Sequence, residues 1–407
     1  MILQKALYYI IPINLICDVL LIVTKSVAYI KAAFMILLLV HLLIRYSGKH
    51  GPYGWTLVFG FYALTIALIS TDLPASLLNT VKIVIPIISL LIGYHFINTK
   101  EKIREFAKSM NWVLLIIIVN AIISTIFGLG SSRYTAEDEE EVFYMGQLSD
   151  HWNMLTYAIL FVPITLHFQS KKGKRITILL AASNAFLVLV SIKRIAILGL
   201  IGGGAIIAGM TADIRKILRM VFTGAAILLL SYPLYGDLLE ERFSARSDRF
   251  EDGALQKESR YLETFYVWGD ALSLEPLDKS LFGMEAFNSA GTYADGIFGD
   301  RQLHVDYNNI VNTIGLFGLI IYLVMFIQLW RRFQLSLQGM VLLDPFDKLM
   351  KATFYAFFYM QFITSVAGQM YNITFRLIVF VFLGASMGYF NHLKHQQIEG
   401  TNCKFEN

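Results

Sequence analysis

The sequence predicts an all-α, polytopic integral membrane protein with about twelve transmembrane helices and one long outer loop carrying a surface helix. Three observations predict this class. The 407 residues are 56% hydrophobic and 16% charged, whereas soluble domains run at roughly 45–50% and about 25%. The mean hydropathy is +0.58. Apolar windows of about 20 residues, the length that crosses ~30 Å of hydrocarbon, recur from end to end.

Those windows fall near 6–24, 28–45, 53–71, 76–98, 110–130, 153–169, 176–192, 195–212, 218–236, 308–330, 351–370 and 372–392. The first contains Pro12 and Asp18 and lacks a small-residue cleavage site, so it reads as an uncleaved span rather than a signal peptide. Cys17 and Cys403 lie too far apart in sequence and character to suggest a disulfide framework or a zinc site. No metal, cofactor or nucleic-acid partner is expected.

Orientation follows from lysine and arginine in the short connections. Counting alternate connections, one side holds Lys5, Arg45, Lys100, Lys102, Arg104, Lys108, Lys171, Lys172, Arg175, Arg331, Arg332 and Lys348, among others. The opposite short connections hold little beyond Lys25, Arg133, Lys193 and Arg194. The first side is read as cytoplasmic, with both termini inside. Residues 1–236 then form spans one to nine, 237–308 an extracytoplasmic loop, 309–392 spans ten to twelve, and 393–407 a cytoplasmic tail.

Two outer segments stand out. Residues 131–152 include the acidic run Glu137-Asp138-Glu139-Glu140-Glu141, which reads as a solvated loop. The long loop is too large to lack structure of its own. Within it, Tyr261, Phe265, Trp268 and Leu272 recur at helical spacing over 258–274, predicting a helix against the outer membrane surface.

Ionisable groups inside spans are costly and are functional candidates by default. Lys31, Lys82 and Arg376 fall near the outer ends of their helices, and Lys193 and Arg194 occupy a tight outer turn. Arg242, Arg246 and Arg260 approach the same plane from the loop. Each intramembrane lysine alone is equally explained by snorkelling. The loop, however, has fifteen Asp/Glu against seven Lys/Arg. Cations held at the membrane plane beneath an acidic exterior suit an anionic lipid head such as a pyrophosphate, to which arginine binds bidentately.

Four stretches carry a resemblance. His304-Val305-Asp306-Tyr307 followed by Gly315-Leu316-Phe317-Gly318 resembles a His-Asn-Asp-Tyr…Gly-x-x-Gly signature at the end of a long outer loop. Ser191-Ile192-Lys193-Arg194 is similar to a Ser-Arg turn between spans. Ser259-Arg260, Trp268, Pro276 and Gly283 resemble an Arg…Trp…Pro…Gly pattern. Asp150-His151-Trp152-Asn153 looks like an Asn-ending segment before a span. Together they resemble the O-antigen ligase and polymerase family of bacterial envelope proteins, from about residue 130 onward. Val305 and Lys193 depart from the family's usual residues.

The resemblance implies a GT-C-like fold in the bacterial cytoplasmic membrane. It also implies transfer of an undecaprenyl-diphosphate-linked oligosaccharide to an acceptor without a nucleotide sugar or metal. The leading expectation is a Wzy-type polymerase of surface polysaccharide repeat units, working beside membrane lipid and a chain-length regulator protein. The alternatives are a WaaL-type ligase to lipid A core and a lipid-linked glycan flippase. His304 is expected to accept the acceptor's proton, its ordinary pKa lying near working pH. Arg194 and Arg260 are expected to hold the diphosphate. Lys193, Arg242, Arg246, Asp306, Tyr307, Lys82 and Arg376 are further candidates for binding diphosphate or glycan. Asp306 is also a candidate for orienting His304, and the pair Asp306-Tyr307 reads equally well as a cap for the following helix.

Overall fold

The computed structural model describes residues 2–21, 24, 26–46, 51–129, 145–149, 151–191, 193–212, 259–299, 301–340, 344–368 and 370–405. Arg242 and Arg246, the acidic run at 137–141 and the ninth window at 218–236 lie outside them.

The described residues are helical and contain no strand. In chain order the helices are α1 (Ile2–Tyr8), α2 (Ile10–Leu20), α3 (Ser26–Tyr46), α4 (Gly54–Ile69), α5 (Leu73–Ile88), α6 (Leu90–Phe96) and α7 (Lys100–Phe127). Then come α8 (Trp152–Leu160), α9 (Val162–Phe168), α10 (Lys171–Val190) and α11 (Arg194–Thr211). Two helices of the long loop follow, α12 (Ser259–Ser273) and α13 (Leu277–Phe282), and the chain closes with α14 (Asp306–Leu337), α15 (Pro345–Ala367) and α16 (Ile373–Phe405). Among the described residues, six stretches are long and apolar enough to cross a bilayer: 29–46, 73–96, 100–127, 194–211, 306–337 and 373–397. Shorter apolar helices cover 10–20, 54–69 and 152–168. The chain is a multi-pass membrane protein in composition and architecture. Every expected window except the ninth falls on a helix or a helix pair.

Local sequence sets the helix ends. Asp72 caps α5 by accepting from the Ala75 amide, and Ser170 caps α10 through Gly173. At the start of α15, Asp344 and Asp347 form a reciprocal capping box with Pro345 in the first turn, the arrangement that satisfies otherwise orphaned amides. Pro86 cannot donate to its helix, and the chain breaks between α5 and α6 three residues later at Ser89, whose hydroxyl bonds the Pro86 carbonyl.

The most enclosed helix is α16, with 94% of its membrane-length run buried. It lies against α6 so closely that a Cβ on Gly93 would sit 1.9 Å from the Val381 carbonyl oxygen, and one on Gly384 2.1 Å from that of Leu90. Small residues permit this approach, which drives helix association where water cannot.

Candidate functional site

Helix directions decide which residues share an end of the bundle. Thr156 on α8 donates to the Ala196 carbonyl on α11, and Leu160 meets Gly203, so α8 and α11 run the same way. Tyr157 contacts Thr364 on α15 while His167 contacts Phe346, so the α8–α9 pair runs against α15. The start of α11, with Lys193 and Arg194, therefore comes level with the end of α15. There a Cβ on Gly368 would overlap the His304 carbonyl. Lys193, Arg194 and His304 thus gather at one end of the bundle, as the alternation of connections predicted. Lys100 and Asp344 pair at the other end.

His304 lies on the irregular stretch leading into α14. Its Nδ1 is 2.9 Å from the Gln302 carbonyl oxygen. A carbonyl only accepts, so Nδ1 carries a hydrogen, which leaves Nε2 as the one ring nitrogen able to act as an acceptor. Gln302 is itself fixed. Its side-chain oxygen accepts from the Ser289 amide at 3.0 Å and hydroxyl at 2.9 Å and from the Tyr371 hydroxyl at 3.2 Å, while its Nε2 donates to Asn288 at 3.0 Å. Ser289 Oγ also accepts the Leu303 amide. The ring's acceptor is therefore set by a hydrogen-bonded chain through the loop and the α15–α16 connection.

A carboxylate ties α12 to this histidine. Glu263 is 0% exposed, and Arg301 Nη2 stands 3.2 Å from its Oε1. Burial pushes the Glu263 carboxyl pKa up, opposed by the guanidinium groups of Arg301 and Arg260 and by the main-chain amide of His304. Arg260 is exposed, one helical turn before Glu263. Trp268 Nε1 donates to Asn308 Oδ1 at 3.0 Å and Asn308 Nδ2 to Thr264 at 2.8 Å, pinning α12 to the first turn of α14. Arg260, Glu263, Arg301 and His304 thus form one electrostatic neighbourhood with an accessible cationic edge.

Several expectations are corrected. Arg376 is not a ligand-facing cation: it is 3% exposed and ion-paired with Asp306, which is fully buried. Asp306 therefore does not orient His304, whose ring is held by Gln302 instead. Nor does its side chain cap α14; the N-cap position is Val305, without a side-chain bond. Tyr307 points into the bundle and donates to the Phe362 carbonyl at 3.3 Å. Lys31 is neutralised by Asp18, with Thr374 and His151 completing the cluster. Lys82 is half-buried on α5, one turn beyond Asn79, whose amide holds the Phe287 carbonyl. Of the five cations expected to converge at the outer leaflet (Lys31, Lys82, Lys193, Arg194 and Arg376), Lys31 and Arg376 are thereby consumed by internal pairing.

Sequence reasoning passed over Glu263, Arg301, Gln302 and Gly368. Glu263 had a readable signal: it falls on the buried stripe Glu263, Val267, Ala271 of α12, where a carboxylate demands a partner. Gly368 and Gln302 had none, since their roles arise from segments brought together only by the fold. No protein-family model matches the chain, and no curated protein is significantly similar to it.

Proposed function

We propose that this chain is a glycosyltransferase of the outer face of a bacterial cytoplasmic membrane, of the O-antigen ligase and polymerase type and GT-C-like in fold. It would join undecaprenyl-diphosphate-linked repeat units into a surface polysaccharide. Twelve spans, cytoplasmic termini and an extracytoplasmic long loop belong to the same reading. The observation that carries it is the His304 ring contact: Nδ1–H bound to the Gln302 carbonyl makes Nε2 the nitrogen that can take a proton, with Arg260 exposed on the helix whose Glu263 reaches the His304 main chain.

The chemistry follows from that arrangement. The acceptor hydroxyl oxygen forms a bond to the anomeric carbon of the lipid-linked sugar as its proton passes to His304 Nε2. The bond from that carbon to the diphosphate oxygen breaks, and the lipid diphosphate departs with the electron pair. Arg260 offsets the charge that develops on the leaving group, where preorganised donors contribute most. Arg194, at the same end of the bundle, is the second diphosphate ligand, and Lys193 adds charge beside it.

Replacing His304 and Arg260 by alanine in the producing cell and profiling its glycans tests the reading. Free, unpolymerised repeat units indicate the polymerase. Long lipid-linked polymer indicates the ligase, and lipid-linked units confined to the cytoplasmic leaflet indicate a flippase.

A further inference from the structure

Two loop helices sit lower than an extramembranous loop would. Helix α14 is interrupted at Gly315, whose φ of +71° is not helical, so only the stretch after it serves as a straight ruler. Counting back along it from Arg331 to residue 316 covers about 22 Å at 1.5 Å per residue, short of the ~30 Å of hydrocarbon, so Gly315 lies within the leaflet. It is at this depth that α13 meets α14. A Cβ on Gly315 would lie 2.3 Å from the Leu281 carbonyl oxygen, and one on Gly283 2.2 Å from that of Thr313. Backbone touches backbone there in both directions.

A second ruler agrees. Tyr62 on α4 donates to the Ile314 carbonyl at 2.9 Å and reaches that of Phe282 at 3.5 Å. Three residues after Phe282, Glu285 accepts from the Thr71 amide at 2.9 Å, in the turn between α4 and α5. Tyr62 stands nine residues before Thr71, about 13 Å of helix. The chain therefore climbs from within the leaflet to its surface between Phe282 and Glu285.

The side chains divide accordingly. The inner stripe of α12, Val267 and Ala271, packs with Val311, Leu316 and Leu319 of α14. A second apolar stripe, Tyr261, Phe265 and Leu272, is 55%, 67% and 64% exposed. Leu277 and Phe282 extend it along α13 and Met284 just past its end, all three exposed. The Phe282 ring stacks on Phe317, with centroids 5.2 Å apart. Phe317 in turn begins the outward apolar row Phe317, Ile320 and Ile327 of α14, on a helix long and apolar enough to cross a bilayer. The loop's apolar edge is continuous with a lipid-facing surface. Asp270, Glu275 and Asp278 are exposed on the same hairpin, and the cost of charge in hydrocarbon stops it from sinking further.

We propose that α12 and α13 form a half-immersed hairpin whose outer apolar stripe contacts the acyl chains of the leaflet on the loop's side. Such an immersed amphipathic element holds its polar edge at headgroup depth. It thereby fixes Arg260 and Glu263 at the plane where a lipid headgroup lies, whatever reaction occurs there.

The test uses full-length protein in vesicles, with Cys17→Ser and Cys403→Ser as background. Fluorophores are placed by Phe265→Cys, Phe282→Cys and Asp270→Cys, with Phe317→Cys as the lipid-facing reference. Phospholipid brominated on its acyl chains should quench the labels at 265 and 282 to the same extent as the label at 317, while aqueous iodide leaves them unchanged. The label at 270 should behave oppositely. Iodide quenching at 265 and 282 without any effect of the brominated lipid overturns the proposal. Because Phe282→Cys removes a ring stack, the unsubstituted protein is also photolysed with a phospholipid bearing an acyl-chain diazirine. Adducts on peptides spanning 261–284 are expected, and their absence beside adducts on 317–327 counts against the hairpin's immersion.

Discussion

Arg376, four residues into α16, and Asp306, the first residue of α14, are joined by an ion pair that is inaccessible from either surface. Two helices that start at the same end of the bundle are thereby locked together immediately below His304. In that setting the guanidinium cannot bind a ligand and the carboxylate cannot steer the histidine. Removing one partner of a buried pair leaves an uncompensated charge, at about 3–5 kcal/mol. Asp306→Asn and Arg376→Met should each lower thermal stability in detergent by roughly that amount. The double replacement should recover most of the loss, as a double-mutant cycle would read. Additive losses would contradict the pairing.

The cluster around Asp18 makes the parallel case. Lys31 Nζ stands 2.5 Å from Asp18 Oδ1 and His151 Nε2 3.3 Å from Oδ2, with the Thr374 hydroxyl on the same carboxylate. Asp18→Asn should destabilise the protein by about 3 kcal/mol or more because Lys31 is left unpaired in a buried site. Lys31→Met in addition should restore yield and melting temperature. An Asp18→Asn variant as stable as the parent would show that the lysine had reached solvent by snorkelling after all.

Gly368 adopts φ +92° and lies against the His304 main chain. A Cβ at that φ costs on the order of 1–3 kcal/mol, and here it also collides with the histidine's carbonyl. Gly368→Ala should therefore cut activity at least tenfold through displacement of His304, with the protein still inserted. Cross-linking or spectroscopy of a probe near residue 304 would register the shift. Unchanged activity would mean that the histidine's backbone position is unimportant.

Glu263 gives a pH signature. Its folded pKa is raised, chiefly by burial. A carboxyl of that kind contributes stability below its unfolded pKa and loses it as pH rises through the folded value. Melting temperature should accordingly fall as pH rises just above the ordinary glutamate range, and Glu263→Gln should flatten that slope. A slope of opposite sign would mean that Arg301 and Arg260 outweigh burial.

Much of the architecture was legible, because hydropathy over about 20 residues reports directly on bilayer thickness. Helix α12 was foreseen over 258–274 and runs Ser259–Ser273. Its visible aromatic stripe proved to be the outward one, since Tyr261 and Phe265 are exposed while Glu263 and Val267 pack inward. The clustering of His304, Lys193 and Arg194 at one end followed from span alternation alone. Charge pairing was not legible: Asp306 and Arg376 are 70 residues apart, and nothing local marks them as partners. Asp18 was visible as an oddity in an apolar run, but its partners come from three other segments. The Gln302 clamp depends on Ser289 and Tyr371, which only folding brings together.

Purified protein reconstituted with lipid-linked repeat unit as sole substrate tests the central assignment most directly. The account predicts a ladder of lengthening glycan with release of lipid diphosphate, abolished in His304→Ala and in Arg260→Ala variants that still insert and fold. A ladder of normal length and rate from both variants would contradict it.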